Sequence, residues 1–201
     1  MKSSTQPKFS LCVYCGSREG TDPRFADAAR AVGRWIGASG GQLVYGGGHA
    51  GPMGQVADAT QAAGGRVVGV IPQSLVDREA ANRRCDELHV VSTMHERKAM
   101  MAERSDGFLA LPGGIGTFEE LFEVWTWHQL GYHDKPLGLL NVAGYYDGLL
   151  AFLKQSVETG FMWEKTEQLL QVGTEVPVLL TAMLGGMQRS RGDAVPLRAV
   201  I

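Results

Sequence analysis

Cysteine is scarce in this chain, whose 201 residues include only Cys12, Cys15 and Cys85. So small and odd a number argues against a disulfide framework. Cys12 and Cys15 have CxxC spacing, but they lie in an apolar segment predicted to be a β-strand. Residues three apart on a strand point to opposite faces, so we expect buried structural thiols rather than a redox pair. No second ligand pair accompanies them, which argues against zinc.

Long apolar runs and an excess of positive charge are also missing. The segment from Met1 to Lys8 lacks the apolar stretch of a signal peptide, and no uninterrupted run elsewhere reaches the roughly 18 residues of a membrane span. The formal net charge of -2 provides no basic field for a nucleic acid or an anionic membrane. We therefore predict a cytoplasmic protein without nucleic-acid or membrane partners.

Several signatures of catalysis and of domain division are absent too. The sequence contains no Ser-His-Asp order, no Walker A motif and no His/Asp cluster with metal-ligand spacing. It contains no internal repeat, low-complexity segment or linker. We predict no metal site, and a single domain over residues 9–185 between a flexible N-terminus at 1–8 and a peripheral tail at 186–201.

The chain does contain short β-rich apolar runs that alternate with longer segments of helical period, with glycine or proline at most junctions. This alternation is typical of βαβ units. It predicts an α/β fold with a doubly wound parallel sheet of about seven strands and helices on both faces. The predicted strands are Phe9 to Tyr14, Gln42 to Tyr45, Arg66 to Ile71, Glu87 to Val91, Gly107 to Leu111, Leu137 to Asn141 and Leu169 to Val172.

Local signals mark four of the helices. Asp22 followed by Pro23 predicts an N-cap and a first helical residue. Apolar positions at helical spacing then continue to Gly37. Two more helices are predicted from about Pro52 to Ala63 and from Met94 to Arg104, and a fourth begins near Gly116.

The most informative loop is Pro112–Thr117, where an apolar run leads into glycines, a hydroxyl and a helix start. In open parallel sheets, ligands bind beyond the carboxyl ends of the strands. Glycine lets backbone N–H groups approach an anion, and the N-terminus of a helix favours negative charge. We predict that this loop binds phosphate. The alternative is a tight turn in which Thr117 only caps the helix.

A second glycine loop follows another predicted strand, and Gly46, Gly48 and Gly51 satisfy GxGxxG. The dinucleotide interpretation is weak, because no acidic residue stands at the end of the next strand to bind a ribose hydroxyl. Two alternatives remain: close helix–strand packing, and the close approach of a smaller nucleotide, which we favour. Cys15-Gly16-Ser17 is a third loop at such a strand end.

Two carboxylates follow the phosphate loop, at Glu119 and Glu120. Acidic residues in a first helical turn are favoured by the helix dipole without any chemistry. Glu120 shares a second, partly apolar face with Val124 and Trp127, and a carboxylate there is costly unless it is used or paired. Either a second subunit or an intrachain helix could cover that face. The main apolar stripe comprises Phe118, Leu121, Phe122 and Trp125.

A charged run, Met94-His95-Glu96-Arg97-Lys98, follows a strand at the same edge of the predicted sheet. Such a cluster at a helix start is usually a solvated face. At this edge, however, Arg97 could bind phosphate in a bidentate manner or pair with Glu120, whereas Lys98 would supply a point charge.

Through these two clusters, the chain resembles the LOG family of cytokinin riboside 5′-monophosphate phosphoribohydrolases. Bacterial members of this family have often been labelled lysine decarboxylases. The resemblance extends from about Phe9 to the helix before Gly185. Its most specific parts are the PGGxGTxxE and ERK motifs. Further matches are Tyr14-Cys15-Gly16-Ser17, Val44-Tyr45-Gly46-Gly47-Gly48, Gly69-Val70-Ile71-Pro72, Gln129-Leu130-Gly131, Lys135-Pro136, Leu140-Asn141 and Gly144-Tyr145-Tyr146.

The resemblance implies a Rossmann-like homodimer without metal or redox cofactor. It implies hydrolysis of a cytokinin riboside 5′-monophosphate or AMP to the free base and ribose 5-phosphate. Arg97 and Glu120 match the catalytic pair, and Lys98 and Glu79 match substrate contacts. The predicted substrate- and phosphate-binding residues are Gly113, Gly114, Ile115, Gly116, Thr117, Glu119, Lys98, Glu79, Ser17, Gly47, Gly48 and Met94.

The residues fit this chemistry independently of the resemblance. Cleavage of a ribosyl C1′–N9 bond builds positive charge on the sugar, which a fixed carboxylate stabilises. One rival is a non-catalytic nucleotide or molybdenum-cofactor carrier, against which the presence of both Arg97 and Glu120 argues. A pyridoxal-phosphate decarboxylase is disfavoured, because nothing marks Lys98 as a Schiff-base residue.

Overall fold

The computed structural model describes residues 6–76 and 81–190. Within these residues, seven strands form one sheet, and each predicted strand is confirmed to within one residue at either end. The strands are β1 (Ser10–Tyr14), β2 (Gln42–Tyr45), β3 (Arg66–Pro72), β4 (Glu87–Val91), β5 (Gly107–Ala110), β6 (Leu137–Leu140) and β7 (Leu170–Gly173).

The sheet is doubly wound, as the sequence predicts. Its strand order is β4-β3-β2-β1-β5-β6-β7, and every neighbouring pair is parallel. The chain progresses outward from β1 in one direction and then returns to start again at β5. The carboxyl ends of β1 and β5 therefore flank the point where the strand order reverses, which is where ligands bind in such sheets.

Helices connect the strands at the predicted places. The Asp22 side chain accepts a hydrogen bond from Arg24 N at 2.9 Å, so the predicted N-cap is confirmed. The helices of the described residues are α1 (Pro23–Ala38), α2 (Gly51–Ala62), α3 (Met94–Glu103), α4 (Ile115–Gln129), α5 (Asp147–Glu158), α6 (Glu164–Glu167) and α7 (Val176–Ser190), with short 3₁₀ turns at Gln73–Leu75 and Val142–Gly144.

Two apolar layers lie on the two faces of the sheet. Helices α1, α2 and α7 cover one face, and α3, α4 and α5 cover the other. Alternate residues of β1 enter different layers, so Cys12 packs with the second group of helices and Cys15 with the first. Burial raises the pKa of Cys12 to about 12 and that of Cys15 further still. The prediction of two separated structural thiols is confirmed.

Helix α4 differs in one respect from its predicted apolar stripe. Val124, which was placed on the second face, is 1% exposed and packs in the same layer as Leu121 and Trp125. Phe122 is instead 37% exposed and stacks on Trp125, with ring centroids 5.7 Å apart. The intrachain alternative therefore accounts for the burial of Val124, and no second subunit is needed for it.

The C-terminal helix continues past the predicted end of the domain. The predicted boundary at residue 185 falls inside α7, and Met187 is completely buried against the sheet. The segment 191–201, like residues 1–5, lies outside the described residues. In the described part of the chain, no helix is long and apolar enough to cross a membrane.

Candidate functional site

A cleft of about 540 Å³ opens at the carboxyl ends of β1 and β5. The loops that follow these strands, the starts of α2 and α4, and one residue of α3 form its walls. Its position is the one that the sheet topology predicts for a ligand. The lining residues are Val13 to Gly20, Phe25, Gly46, Pro52, Met53, Arg97, Pro112 to Thr117, Glu120 and Tyr145.

The loop after β5 packs tightly on one side and is open on the other. A Cβ on Gly113 would lie 2.1 Å from Thr117 Oγ1 and 2.8 Å from Gly16 N, so only glycine fits there. In contrast, a Cβ on Gly114 or Gly116 would meet no protein atom within 4 Å. These two glycines leave free space at the start of α4, where a ligand can approach the backbone closely.

The N-terminus of α4 has no side-chain cap. Gly114 occupies the N-cap position, so Thr117 does not cap the helix, and it is buried in the first turn with 3% exposure. The first amides of an α-helix lack intrahelical acceptors, and the helix dipole favours an anion beside them. This end of α4 therefore offers backbone donors to the cleft, as the phosphate-loop prediction requires.

Arg97 is held firmly although it lines the cleft. Its side chain is buried, with 6% exposure of the residue, and its Nε donates to Val70 O at 3.2 Å. Its Nη2 donates to Gly46 O at 3.1 Å, and a Cβ on Gly46 would lie 2.0 Å from that nitrogen. The second glycine loop thus makes room for this guanidinium, which is fixed by the ends of β2 and β3.

Two further glycines of this loop, Gly47 and the motif residue Gly51, are explained by protein packing. Gly51 has φ of +56°, and a Cβ there would lie 2.8 Å from Ser17 O. Gly47 has φ of +77°, and its carbonyl accepts from Asn82 N at 2.8 Å. Neither Gly47 nor Gly48 lines the cleft, whereas Gly46 does.

Glu120 lines the cleft from the second turn of α4. Its charge acts on buried groups at the cleft floor. The pKa of Cys15 is raised first by burial and then by the charge of Glu120, and the pKa of Tyr14 is raised by burial with a contribution from the same carboxylate. Cys15 therefore stays a thiol at neutral pH and is not an activated nucleophile.

Lys98 and Glu119 face away from this cleft. Lys98 Nζ lies 2.5 Å from Glu119 Oε1 and 2.8 Å from Glu123 Oε1. Burial alone would lower the pKa of Lys98, but its hydrogen bonds to the two carboxylates raise it overall. The amine is therefore held as an ammonium, which does not suit a Schiff-base lysine. Lys98 and Glu123 line a neighbouring groove between α3 and α4.

Two adjacent tyrosines support the loop after β5 from the β6 side. Tyr145 donates its hydroxyl to Gly113 O at 2.6 Å, and Tyr146 donates to Leu111 O at 2.7 Å. Tyr145 also meets Phe25 edge to face, with ring centroids 5.5 Å apart. Tyr145 was not predicted as a site residue from the sequence, although it follows the end of a predicted strand, where ligands bind in such sheets.

The structure brings together most, but not all, of the predicted site residues. Ser17, Gly113, Gly114, Ile115, Gly116, Thr117, Arg97 and Glu120 line the cleft. Met94, at the start of α3, is not among the lining residues, and its Sδ lies 3.9 Å from Arg97 Nη1. Glu79 lies outside the described residues. Within the residues that the structure describes, no three His, Cys, Asp or Glu side chains are grouped to hold a metal ion.

The chain is similar in sequence to known enzymes over most of its length. A family model described as "possible lysine decarboxylase" matches residues 53–183. A probable cytokinin riboside 5′-monophosphate phosphoribohydrolase of Oryza sativa subsp. japonica is 49% identical over 170 residues, which cover 85% of this chain and 75% of the relative. A cytokinin riboside 5′-monophosphate phosphoribohydrolase of Arabidopsis thaliana is 49% identical over 160 residues, or 80% and 74% of the two chains.

Solved structures resemble this one in fold. The molybdenum cofactor binding protein of the phototrophic bacterium Rippkaea orientalis superposes with a TM-score of 0.67 over 91% of this chain and 98% of its own. The two sequences are only 20% identical, so this likeness shows the Rossmann-like fold alone.

Proposed function

Because this chain belongs to the LOG family of cytokinin riboside 5′-monophosphate phosphoribohydrolases, we propose that it hydrolyses the N-glycosidic bond of an adenine-type nucleoside 5′-monophosphate. The substrate is a cytokinin riboside 5′-monophosphate, AMP or both. The products are the free base and ribose 5-phosphate. The main support is that Arg97, Glu120 and the uncapped start of α4 all line one cleft, at the point where the strand order of the sheet reverses.

In this proposal, the start of α4 binds the substrate phosphate. Gly113 shapes the loop, Gly114 and Gly116 leave space for the anion, and Ser17 and Thr117 add hydroxyls. The phosphate is remote from the bond that breaks, so its binding energy serves to position C1′ in the cleft.

Glu120 then acts on the sugar. As the C1′–N9 bond breaks, positive charge develops on the ribose, and the Glu120 carboxylate stabilises it and orients the attacking water. The water adds its hydroxyl to C1′, and its remaining proton is transferred to the departing base. Arg97 lines the same cleft, and its guanidinium is fixed by hydrogen bonds to Gly46 O and Val70 O.

Two named alternatives are less well supported. The carrier alternative is supported by the fold similarity to the molybdenum cofactor binding protein. At 20% identity, that similarity does not extend to function. A lysine decarboxylase would need a reactive amine. No lysine is among the described residues that line the cleft, and Lys98 is paired with Glu119 and Glu123.

The proposed activity is tested by incubating the protein with AMP and, separately, with N6-isopentenyladenosine 5′-monophosphate. Chromatography then resolves the free base from the nucleotide. We expect release of adenine or isopentenyladenine, and the ratio of the two rates gives the substrate preference. If neither base appears although ribose 5-phosphate binds to the protein, the hydrolase proposal is wrong.

We also propose that the protein is a homodimer. The α3–α4 side of the molecule exposes apolar side chains, with Met94 at 42%, Phe122 at 37% and Leu130 at 56%. An exposed apolar surface beside a polar groove is typical of a subunit contact. Light scattering should give twice the chain mass of 21.7 kDa, and a monomeric mass would refute this part.

A further inference from the structure

The proposed substrate brings nearly two negative charges into the cleft with its phosphate. The resemblance assigned Lys98 to substrate contact, but Lys98 lies outside the cleft and is paired with two carboxylates. Among the residues that line the cleft, the cationic side chains are Arg18 and Arg97. These are the two cationic side chains that the described part of the chain offers to the phosphate.

Arg97 already serves the protein backbone. Its Nε and Nη2 donate to carbonyls at the ends of β3 and β2, and the residue is 6% exposed. Its guanidinium therefore has little freedom to turn toward an anion at the start of α4. Arg18 differs, because it is exposed and makes no hydrogen bond or ion pair with the described residues.

The backbone that carries Arg18 is nevertheless well placed. Gly16 N donates to Pro112 O at 3.2 Å, which joins this loop to the phosphate loop. On the other side, the Ser17–Arg18 backbone packs against Gly51, where an added Cβ would lie within 3.0 Å of Arg18 C. The loop is thus held between the starts of α2 and α4, and its guanidinium borders the same cleft.

We propose that Arg18 is a ligand of the substrate phosphate and sets the preference for nucleotides over nucleosides. This inference rests on the proposed function of the same site. The planar fork of a guanidinium binds two phosphate oxygens at once, and its charge adds to the backbone donors of α4. Glu19 at the same rim carries the opposing charge, so the selectivity depends on the bidentate geometry of Arg18 as well as on its charge.

The test compares Arg18→Gln and Arg18→Lys with the wild type. The control is Arg34→Gln, which removes the same charge from an exposed position of α1 that does not line the cleft. For each protein, KM and kcat are measured with AMP and kcat/KM with adenosine. Binding of ribose 5-phosphate is measured by calorimetry, and thermal unfolding reports on the fold.

We expect Arg18→Gln to raise KM for AMP and the Kd for ribose 5-phosphate by a common factor of about ten or more. The kcat/KM for adenosine should stay within about two-fold, because adenosine has no phosphate for Arg18 to bind. Arg18→Lys should recover part of the loss, because it restores charge but not the fork. Arg34→Gln should match the wild type.

Two results would overturn the inference. One is an Arg18→Gln protein that binds ribose 5-phosphate and AMP as tightly as the wild type. The other is an equal loss with AMP and adenosine, which would mean that Arg18 does not act through the phosphate. Failure of the proposed function is distinguishable from both, since a wild type that releases no base still allows the ribose 5-phosphate comparison.

Discussion

At the scale of single residues, neighbours in the sequence have different environments. Glu120 lines the cleft, whereas Glu119 pairs with Lys98 on another side of α4. Likewise, Arg97 is buried at the cleft while Lys98 faces the neighbouring groove. Successive residues of a helix point about 100° apart, which allows neighbours in the sequence to face different surroundings. The helical phase placed the two glutamates on different faces, but Glu119 was still predicted to bind substrate, and the motif placed both basic residues in the site.

The two tyrosines after β6 provide a residue-scale prediction. Tyr145 donates to Gly113 O at the cleft, and Tyr146 donates to the buried Leu111 O. Tyr146→Phe should lower the free energy of unfolding by about 1–3 kcal/mol, because a buried carbonyl loses its donor. Tyr145→Phe leaves a more accessible carbonyl, so we expect a smaller loss of stability and a KM for AMP raised about two- to ten-fold.

Chemical denaturation and steady-state kinetics of the two variants check this contrast. A Tyr145→Phe protein with unchanged KM would show that its hydroxyl does not position the phosphate loop. A Tyr146→Phe protein as stable as the wild type would show that Leu111 O finds another donor.

At the scale of elements, we predict that glycine at the start of α4 leaves space for the substrate but makes the helix less stable than alanine would. Gly116 is its second residue, and a methyl group there would meet no protein atom. Gly116→Ala should therefore leave the free energy of unfolding unchanged or raise it by up to about 1 kcal/mol. The same methyl group occupies the space proposed for the phosphate, so KM for AMP should rise about ten-fold or more.

Gly148→Ala is the matched control for this prediction. Gly148 is the second residue of α5, has equally open surroundings and does not line the cleft. We expect it to change stability in the same direction without changing KM. Normal KM in Gly116→Ala would contradict the placement of the phosphate at this helix.

The elements themselves were predictable because their signals are local. Each strand is an apolar β-rich run bounded by glycine, proline or a helix signal, and Asp22 with Pro23 marks the start of α1. The apolar stripe of α4 was less predictable, since Phe122 and Val124 are both apolar and tertiary packing decided which is buried. Arg18 and Tyr145 lie in loops without periodicity, so only the folded chain shows that they border the cleft.

At the scale of the whole molecule, the segment between α4 and β6 makes stability depend on pH. His133 Nε2 donates to Val124 O at 2.9 Å, and its Nδ1 accepts from Lys135 N at 3.1 Å. Burial, followed by the charges of His128 and Lys135, lowers the pKa of His133 from 6.5 to about 4. A second proton on the ring would bind Nδ1, which would then no longer accept the hydrogen bond from Lys135 N.

The sign of the effect follows from this lowered pKa. Between pH 6.5 and about 4, His133 is protonated in the unfolded chain but not in the folded chain. The free energy of unfolding should therefore fall as the pH drops through this window, by at most about 1.4 kcal/mol per pH unit from this group. Above pH 6.5 the contribution should be constant.

Urea denaturation at several pH values measures the slope. His133→Gln keeps a donor toward Val124 O but cannot titrate, so its stability should depend less on pH in this window. His95→Gln, at an exposed position of α3, should retain the wild-type slope. Equal slopes in all three proteins would exclude His133 as the cause.

The proposed action of Glu120 on the sugar of a bound nucleotide is tested by measuring base release by Glu120→Gln and, as its control, by Glu119→Gln. The first substitution changes the carboxylate in the cleft, and the second changes its neighbour outside it. We expect Glu120→Gln to lose about a hundred-fold or more in kcat while it binds ribose 5-phosphate almost normally, and Glu119→Gln to stay within about two-fold of the wild type. A Glu120→Gln protein that releases base at the wild-type rate would contradict it.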